Sequence, residues 1–331
     1  MSDRVVVDLK DGVADVRMVR ADKMNALDTA MFDALIETGE RLKHEAGVRA
    51  VVLSGDGRGF CAGLDMGNFA KMASGERKGT EGLVDLPRTA AGANRAQQAC
   101  YVWHEVPVPV IAAVHGVAFG GGLQVALGAD LRFVTADAKL SVMEIKWGLV
   151  PDMAGMALLR RLVRDDVARE LTFSGRTVLG EEAVKIGLAT RVCADPRAEA
   201  LAFAKLIANQ NPDAIRAGKR LLNLAVEADA KEIFRAETTE QVALIGSPNQ
   251  VEAVMAISKS VHPALLTADP ASLSGRASSR HSRQKTTARI ARYTRCSVAG
   301  QCPARTGAAL DQAFSMAREP APRLYGRGIC P

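Results

Sequence analysis

The sequence predicts an α/β protein in which strands and helices alternate and a helical region follows. Between residues 4 and 192, short apolar runs rich in β-branched residues are separated by longer segments of helical periodicity. From residue 195 to about residue 258 the period is helical throughout, with breaks near two prolines. The pattern therefore predicts an α/β core domain over residues 1–194 and a helical region over residues 195–260.

The first elements of the chain form a predicted hairpin and a helix. Residues 4–9 and 13–20 are alternating or continuous apolar runs, and Asp11-Gly12 lies between them as a two-residue turn. Asp28 is a suitable N-cap for a helix that runs to about residue 46, since apolar residues then recur on one face.

Two further predicted strands are each followed by a glycine-rich turn. Residues 50–53 enter the turn 54–66, and residues 67–86 are predicted to form a polar loop. Val110–Val114 is a short apolar run that is followed by three glycines and a helix through residue 129. The remaining predicted elements are a helix over residues 86–104, a strand over 131–134, helices over 153–162, 164–172 and 180–186, and a strand over 189–192.

Residues 261–331 form a basic tail whose composition cannot bury much core. Residues 271–331 hold ten arginines and Lys285 against Asp311 and Glu319, which is a net charge of +9. Because the whole chain carries +6, residues 1–270 carry −3. Few aromatics and no sustained periodicity predict that the tail is disordered. A basic arm for nucleic acid and a shifted reading frame are the alternatives, while the acidic body does not indicate a nucleic-acid surface.

The composition also excludes several classes of protein. No apolar run reaches the ~18–20 residues that a membrane helix needs, and residues 1–5 do not begin a secretory signal. The six cysteines form no C-x-x-C pair, so neither a zinc site nor a disulfide framework is predicted. We therefore expect a cytoplasmic protein that has no membrane contact and no bound metal.

The turn after Val110–Val114 is suited to holding a negative charge on oxygen. Its three glycines let the backbone approach a ligand closely, and the first turn of the next helix has free N–H groups. A thioester enolate needs two N–H donors aimed at one oxygen, and the earlier glycine-rich turn can supply the second. The alternatives are a tight turn without a ligand, and a dinucleotide site over residues 57–62, which have the spacing G-x-G-x-x-A.

Several segments together resemble the enoyl-CoA hydratase/isomerase (crotonase) superfamily. Phe60-Cys61-Ala62-Gly63-Leu64-Asp65 and the segment 116–124 are similar to its two signature segments. Residues 25–27, 128–130 and 143–152 also fit in order and spacing, and the resemblance covers about residues 4–255. It implies a spiral of repeated ββα units, followed by a helical oligomerisation region that assembles a homotrimer or a dimer of trimers.

The resemblance also assigns the substrate-binding residues. It implies an acyl-CoA thioester as the substrate and no separate cofactor, because CoA is part of the substrate. By position, the backbone N–H groups of Leu64 and Gly121 would form the oxyanion hole. The residues that would bind the CoA part are Lys23, Asn25, Ala62, Leu64, Asp65, Met66 and Gly121.

Three positions decide which reaction the resemblance implies. The family's hydratases place one carboxylate where this chain has Gln124 and a second where it has Glu144. An amide can hold a water molecule by hydrogen bonds, but it cannot take its proton. One carboxylate suffices to move a proton between C2 and C4, so Glu144 predicts an enoyl-CoA isomerase. Asp152 matches the second acid of the dienoyl-CoA isomerases.

Other interpretations of the same residues stay open at this point. Gln124 can still hold a water molecule, which would make the chain an enoyl-CoA hydratase. A protein that binds acyl-CoA without turnover would conserve the same turns. Glu144 can be a structural acid, and Asp152 can serve only as the N-cap of a helix that begins near residue 153.

Overall fold

A computed structural model of the chain describes residues 3–67, 88–259 and 262–267. Nearly all of the predicted loop 67–86 and most of the predicted tail lie outside these ranges. The strands are β1 (Val5–Lys10), β2 (Val13–Met18), β3 (Ala50–Gly55), β4 (Val110–Val114), β5 (Val117–Phe119), β6 (Leu131–Val134), β7 (Lys139–Ser141), β8 (Val178–Leu179) and β9 (Arg191–Val192).

Helices surround these strands and continue beyond them. They are α1 (Thr29–His44), α2 (Arg95–Glu105), α3 (Gly121–Leu127), α4 (Gly155–Leu159), α5 (Asp165–Ser174), α6 (Gly180–Lys185), α7 (Pro196–Ala208), α8 (Pro212–Ala225), α9 (Ala230–Leu244) and α10 (Pro248–Lys259). Two 3-10 turns are formed by Ala21–Lys23 and Glu144–Trp147. In the part of the chain that is described, no helix combines the length and apolar character needed to cross a membrane.

The strands form one large sheet and one small sheet. The large sheet has the order β1-β2-β3-β4-β6-β9, in which β1 and β2 are antiparallel and the other neighbours are parallel. The small sheet has the order β5-β7-β8. The predicted α/β class is therefore confirmed.

Both faces of the large sheet are covered, and the side chains of a central strand alternate between two apolar cores. In β3, Val51 and Leu53 face the main core with α1, α2 and α3, while Ala50 and Val52 face a second core that α7 completes. Successive side chains of a strand point to opposite faces, so a run that is apolar at every position is buried on both.

The chain repeats one structural step along the large sheet. After β4 and after β6, it passes directly into β5 and β7 of the small sheet. After β3, Cys61 bridges Ala118 of β5 in parallel, so the turn that follows β3 lies beside the small sheet as well. This repeated step is the spiral of ββα units that the resemblance implies, and it brings the two glycine-rich turns together.

The hairpin and the first helix are confirmed, but two later helices are shorter than predicted. Asp28 accepts a hydrogen bond from the backbone N–H of Met31 and caps α1. The helix predicted over residues 86–104 begins only at Arg95, because Asn94 and Gln97 form a reciprocal capping box there. The helix predicted over residues 153–162 is reduced to α4.

The helical region follows the sheets, and residues 262–267 return to it. The Arg49 guanidinium donates to the carbonyl of Leu265 at 3.0 Å, and the N–H of Leu266 donates to Oδ1 of Asn249 at 2.8 Å. The first described residues of the predicted tail therefore lie against α10 and the start of β3.

Candidate active site

The two glycine-rich turns lie side by side. The N–H of Cys61 donates to the carbonyl of Val117 at 3.0 Å, and the N–H of Phe119 donates to the carbonyl of Cys61 at 3.1 Å. A Cβ atom on Gly63 would lie only 2.5 Å from the carbonyl oxygen of Phe119 and 3.7 Å from the nitrogen of Gly121. Gly63 also has a φ of +89°, which other residues rarely adopt. Glycine is therefore needed for this approach of the two backbones.

The predicted oxyanion donors are both available in this arrangement. Gly121 is the first residue of α3, where an N–H has no intrahelical acceptor, and Leu64 lies in the neighbouring turn. Among the described residues, neither N–H donates to another protein group. Two free N–H groups on adjacent turns can stabilise the negative charge that develops on an enolate oxygen.

An ion pair holds the turn that carries Leu64. Nη1 of Arg20 donates to Asp65 at 2.6 Å and to the carbonyl of Ala26 at 3.0 Å. The other oxygen of Asp65 accepts from the N–H of Gly67, and these contacts lower the pKa of Asp65. Sequence reasoning missed Arg20, because a basic residue after β2 carries no signal of its partner 45 residues later.

Asn25 supports the same region from inside the protein. Its side chain is fully buried, and Nδ2 lies within 3.2 Å of the carbonyl oxygens of Asp56, Gly59 and Phe60. Its Oδ1 accepts from the N–H of Arg20 at 2.9 Å. The side chain is thus occupied by backbone groups, and its contribution to the site is to fix the turn.

The other residues predicted to bind the CoA part lie at the surface beside this turn. Lys23 and Met66 are exposed, whereas Ala62 and Leu64 are half-buried. Ala62 and Leu64 lie in the first glycine-rich turn itself, and the N–H of Ala62 donates to the carbonyl of Met24, next to Lys23, at 2.9 Å.

Gln124 and Glu144 are in direct contact. Nε2 of Gln124 donates to Oε1 of Glu144 at 2.6 Å. Oε1 of Gln124 accepts from the backbone N–H groups of Met153 and Gly155 at 2.9 and 2.8 Å. Since two N–H donors face one end of the amide, that end must be the oxygen, and the amide orientation is fixed.

Glu144 is a buried carboxyl beside Gly120 of the second glycine-rich turn. It is 9% exposed, and a Cβ on Gly120 would lie 3.3 Å from its Oε1. Its Oε2 is buried without a hydrogen-bond partner in the described part of the chain. Burial raises the pKa of Glu144, and the nearby charge of Asp152 raises it further. A carboxyl of this kind can exchange a proton with a ligand held at the two turns.

Asp152 lies at an exposed position at the start of the turn that leads to α4. The surrounding protein raises the pKa of its carboxyl by desolvation. The interpretation of Asp152 as an N-cap is wrong, because α4 begins at Gly155 and its N-cap residue is Ala154, with no side-chain cap.

An apolar pocket adjoins Gln124 on the side of α4. Its lining is uncharged and consists of Gly120, Leu123, Gln124, Leu127, Val142, Pro151, Gly155, Met156 and Leu159. Its volume is about 10 Å³, which is room for a water molecule and not for a hydrocarbon chain.

The thiols near the site are not nucleophiles. Burial raises the pKa of Cys61 to about 12, and it raises the pKa of Cys100 as well. A thiol must ionise to attack, so both remain neutral and inert. Within the described ranges, no three His, Cys, Asp or Glu residues are grouped to hold a metal ion.

Comparisons with known proteins agree on one family. The family profile for enoyl-CoA hydratase/isomerase matches residues 8–258. The chain is 29% identical to the mitochondrial Delta(3,5)-Delta(2,4)-dienoyl-CoA isomerase of Mus musculus, over 74% of this chain and 76% of that protein. It is 28% identical to the mitochondrial methylglutaconyl-CoA hydratase of Homo sapiens, over 76% and 73% of the two chains.

Solved structures agree with the sequence comparisons. The crystal structure of an enoyl-CoA hydratase from Bacillus anthracis superposes with a TM-score of 0.71 at 26% identity, over 80% of this chain and 99% of that one. The profile match spans most of the chain, and it includes both glycine-rich turns and Glu144. The chain belongs to the enoyl-CoA hydratase/isomerase family and is an acyl-CoA enzyme with the crotonase fold.

Proposed function

We propose that the enzyme is an enoyl-CoA isomerase that shifts a double bond by proton transfer through Glu144. The observation that supports this most is that the carboxyl of Glu144 is buried and has no ion-pair partner among the described residues. Among the described acidic residues only Asp15 and Glu144 are buried, and Asp15 pairs with Arg197. No described cation pairs with Glu144, which is as expected for a group that must take and release a proton.

The proposed reaction needs no other acid or base. The thioester oxygen accepts from the N–H groups of Leu64 and Gly121. The carboxylate of Glu144 removes a proton from C2 of a 3-enoyl-CoA, and the electron pair of that C–H bond forms the conjugated enolate. The electrons of the enolate then take the same proton at C4, which moves the double bond to C2–C3 and returns Glu144 to its ionised form.

Hydration is the reaction that an experiment must separate from isomerisation. Gln124 cannot deprotonate water, and one of its two N–H donors is already bound to Glu144. An assay of the purified protein with 3-enoyl-CoA, crotonyl-CoA and 3,5-dienoyl-CoA tests the proposal. We expect turnover of 3-enoyl-CoA to exceed hydration of crotonyl-CoA. Faster hydration than isomerisation would contradict the proposal.

The variant Asp152→Asn is expected to distinguish monoenoyl from dienoyl substrates. A dienoyl shift over a longer distance needs a second proton site, and Asp152 is the exposed acid whose charge reaches Glu144. We expect turnover of a 3,5-dienoyl-CoA to fall by roughly 10²-fold. We expect that of a 3-enoyl-CoA to fall much less. Equal losses on both substrates would show that Asp152 acts on the fold or on Glu144, and not as a second proton site.

We also propose that the enzyme is a homo-oligomer held together by its helical region. No residue of α9 is buried, and the helix leaves Phe234 at 64% and Val242 at 66% exposure. Ile245, which follows α9, is 66% exposed. A monomer rarely exposes a set of large apolar side chains on one helix, so a second copy of the chain is the occupant that we propose.

Replacing Phe234 by Glu is expected to dissociate this assembly. A charge in the apolar centre of an interface would be desolvated without a partner, which typically costs several kcal/mol. Sedimentation analysis should show a monomer for Phe234→Glu and an oligomer for the wild type. Thr239→Glu adds the same charge to an exposed position of α9 and should remain oligomeric. An oligomer of unchanged size for Phe234→Glu would place the interface elsewhere.

A further inference from the structure

The two carboxyl oxygens of Glu144 differ in their hydrogen bonding. Oε1 accepts from Nε2 of Gln124 at 2.6 Å, whereas Oε2 is buried without a hydrogen-bond partner among the described residues. Buried polar atoms without partners are rare in folded proteins, and each one calls for a functional or structural explanation.

The amide of Gln124 cannot reverse its direction. Its oxygen accepts from the N–H groups of Met153 and Gly155, so a flipped amide would place an NH₂ group against two N–H donors. The contact is also tight, because a Cβ on Gly155 would lie 2.5 Å from Oε1 of Gln124. The turn 153–155 therefore fixes Gln124, and Gln124 can only donate to Glu144.

We propose that Gln124 is a positioning residue, which occupies Oε1 of Glu144 as a fixed donor and so reserves Oε2 as the oxygen that takes and returns the substrate proton. This inference rests on the proposed function for its chemistry. When Glu144 is protonated, Oε1 faces a donor, so the acidic proton must reside on Oε2. One oxygen then serves both the C2 and the C4 step, and the carboxyl need not rotate between them.

The groups that act on Glu144 determine how this role appears in a pH profile. Burial and, less strongly, the charge of Asp152 raise the pKa of Glu144, whereas the backbone N–H groups of Glu144 and Met143 and the hydrogen bond from Gln124 lower it. The thiols of Cys61 and Cys100 are neutral, because burial raises the pKa of each. Removing the donor should therefore raise the pKa of Glu144, and the active ionised form should be lost at a higher pH than in the wild type.

Two variants test the proposal in different ways, since one removes the donor group of Gln124 and the other displaces its amide. Gln124→Met keeps the approximate size and removes the donor. Gly155→Ala leaves Gln124 and Glu144 intact but forces the amide away from its position. The atoms met by the new methyl group, Oε1, Cδ and Cγ, belong to the side chain of Gln124 and not to the backbone, so this variant should fold even if Gln124→Met does not. Gly218→Ala, whose Cβ would meet nothing within 4 Å, is the matched control.

We expect kcat to fall by roughly 10- to 100-fold in both variants, as for loss of a hydrogen bond to a charged group, with little change in KM. The acid limb of kcat should move to higher pH in both, and the control should keep the wild-type profile. Wild-type kcat and an unshifted acid limb in both variants would overturn the proposal.

A readout that does not depend on turnover separates this inference from the proposed function. The carboxyl band of Glu144 can be assigned in infrared difference spectra as the band lost in Glu144→Gln, and its titration can be followed without substrate. If the wild type lacks isomerase activity but this band titrates at higher pH in both variants, the proposed function fails and the role of Gln124 stands. If the band titrates at the wild-type pH in both, Gln124 does not position Glu144.

Discussion

Replacing Glu144 by Gln is expected to lower isomerase turnover by about 10²–10⁴-fold, the usual contribution of a positioned general base. The variant keeps the size of the side chain and removes the only buried carboxyl beside the two glycine-rich turns among the described residues. Affinity for the acyl-CoA ester should change little, because the N–H groups of Leu64 and Gly121 are untouched. Steady-state kinetics with a 3-enoyl-CoA, together with binding of a non-reactive CoA ester, measure the two effects separately.

The control for this variant makes the same chemical change far from the site. Glu37 is an exposed residue of α1, so Glu37→Gln should keep wild-type kinetics. Burial raises the pKa of Glu144, and only its ionised form is a base. As the pH is lowered, the wild type should therefore begin to lose activity at a pH above the range in which ordinary carboxyl groups titrate. Full turnover by Glu144→Gln on every enoyl-CoA tested would remove this residue from the mechanism.

A strand with both faces buried is among those whose bounds can be predicted from the sequence. Val110–Val114 has the predicted bounds, since a continuous apolar run between Pro109 and Gly116 has few other structures available. By contrast, Val117–Phe119 and Lys139–Ser141 form strands of three residues each, and the sequence analysis predicted neither. A run that short shows no period, and it becomes a strand only because the spiral places it beside a partner.

In the candidate site, too, local motifs could be found from the sequence, whereas contacts between distant residues could not. The segments that carry Leu64, Gly121 and Glu144 could be proposed from the sequence because each resembles a motif of the family. The hydrogen-bonding of Gln124 could not, since its two donors lie 29 and 31 residues later and are backbone groups. No side-chain pattern marks a backbone N–H as a partner, and only the folded turn 153–155 brings these groups to the amide.

Replacing Gly63 by Ala is expected to lower turnover by about 10²–10³-fold, as for loss of one oxyanion donor. The new Cβ would lie 2.5 Å from the carbonyl oxygen of Phe119, which is backbone and cannot rotate away. The turn that carries Leu64 must then move away from the turn that carries Gly121, which separates the two proposed N–H donors.

A control variant must separate the effect of backbone strain from the effect of displacing the turn. Gly63 has a φ of +89°, so alanine is also disfavoured there by its conformation, at about 1–3 kcal/mol. Gly92 has a similar φ of +81°, but a Cβ on it would meet nothing within 4 Å. Gly92→Ala should therefore lose thermal stability and keep its turnover, whereas Gly63→Ala should lose both. If both variants lose stability and Gly63→Ala keeps the wild-type kcat, the N–H of Leu64 does not stabilise the enolate.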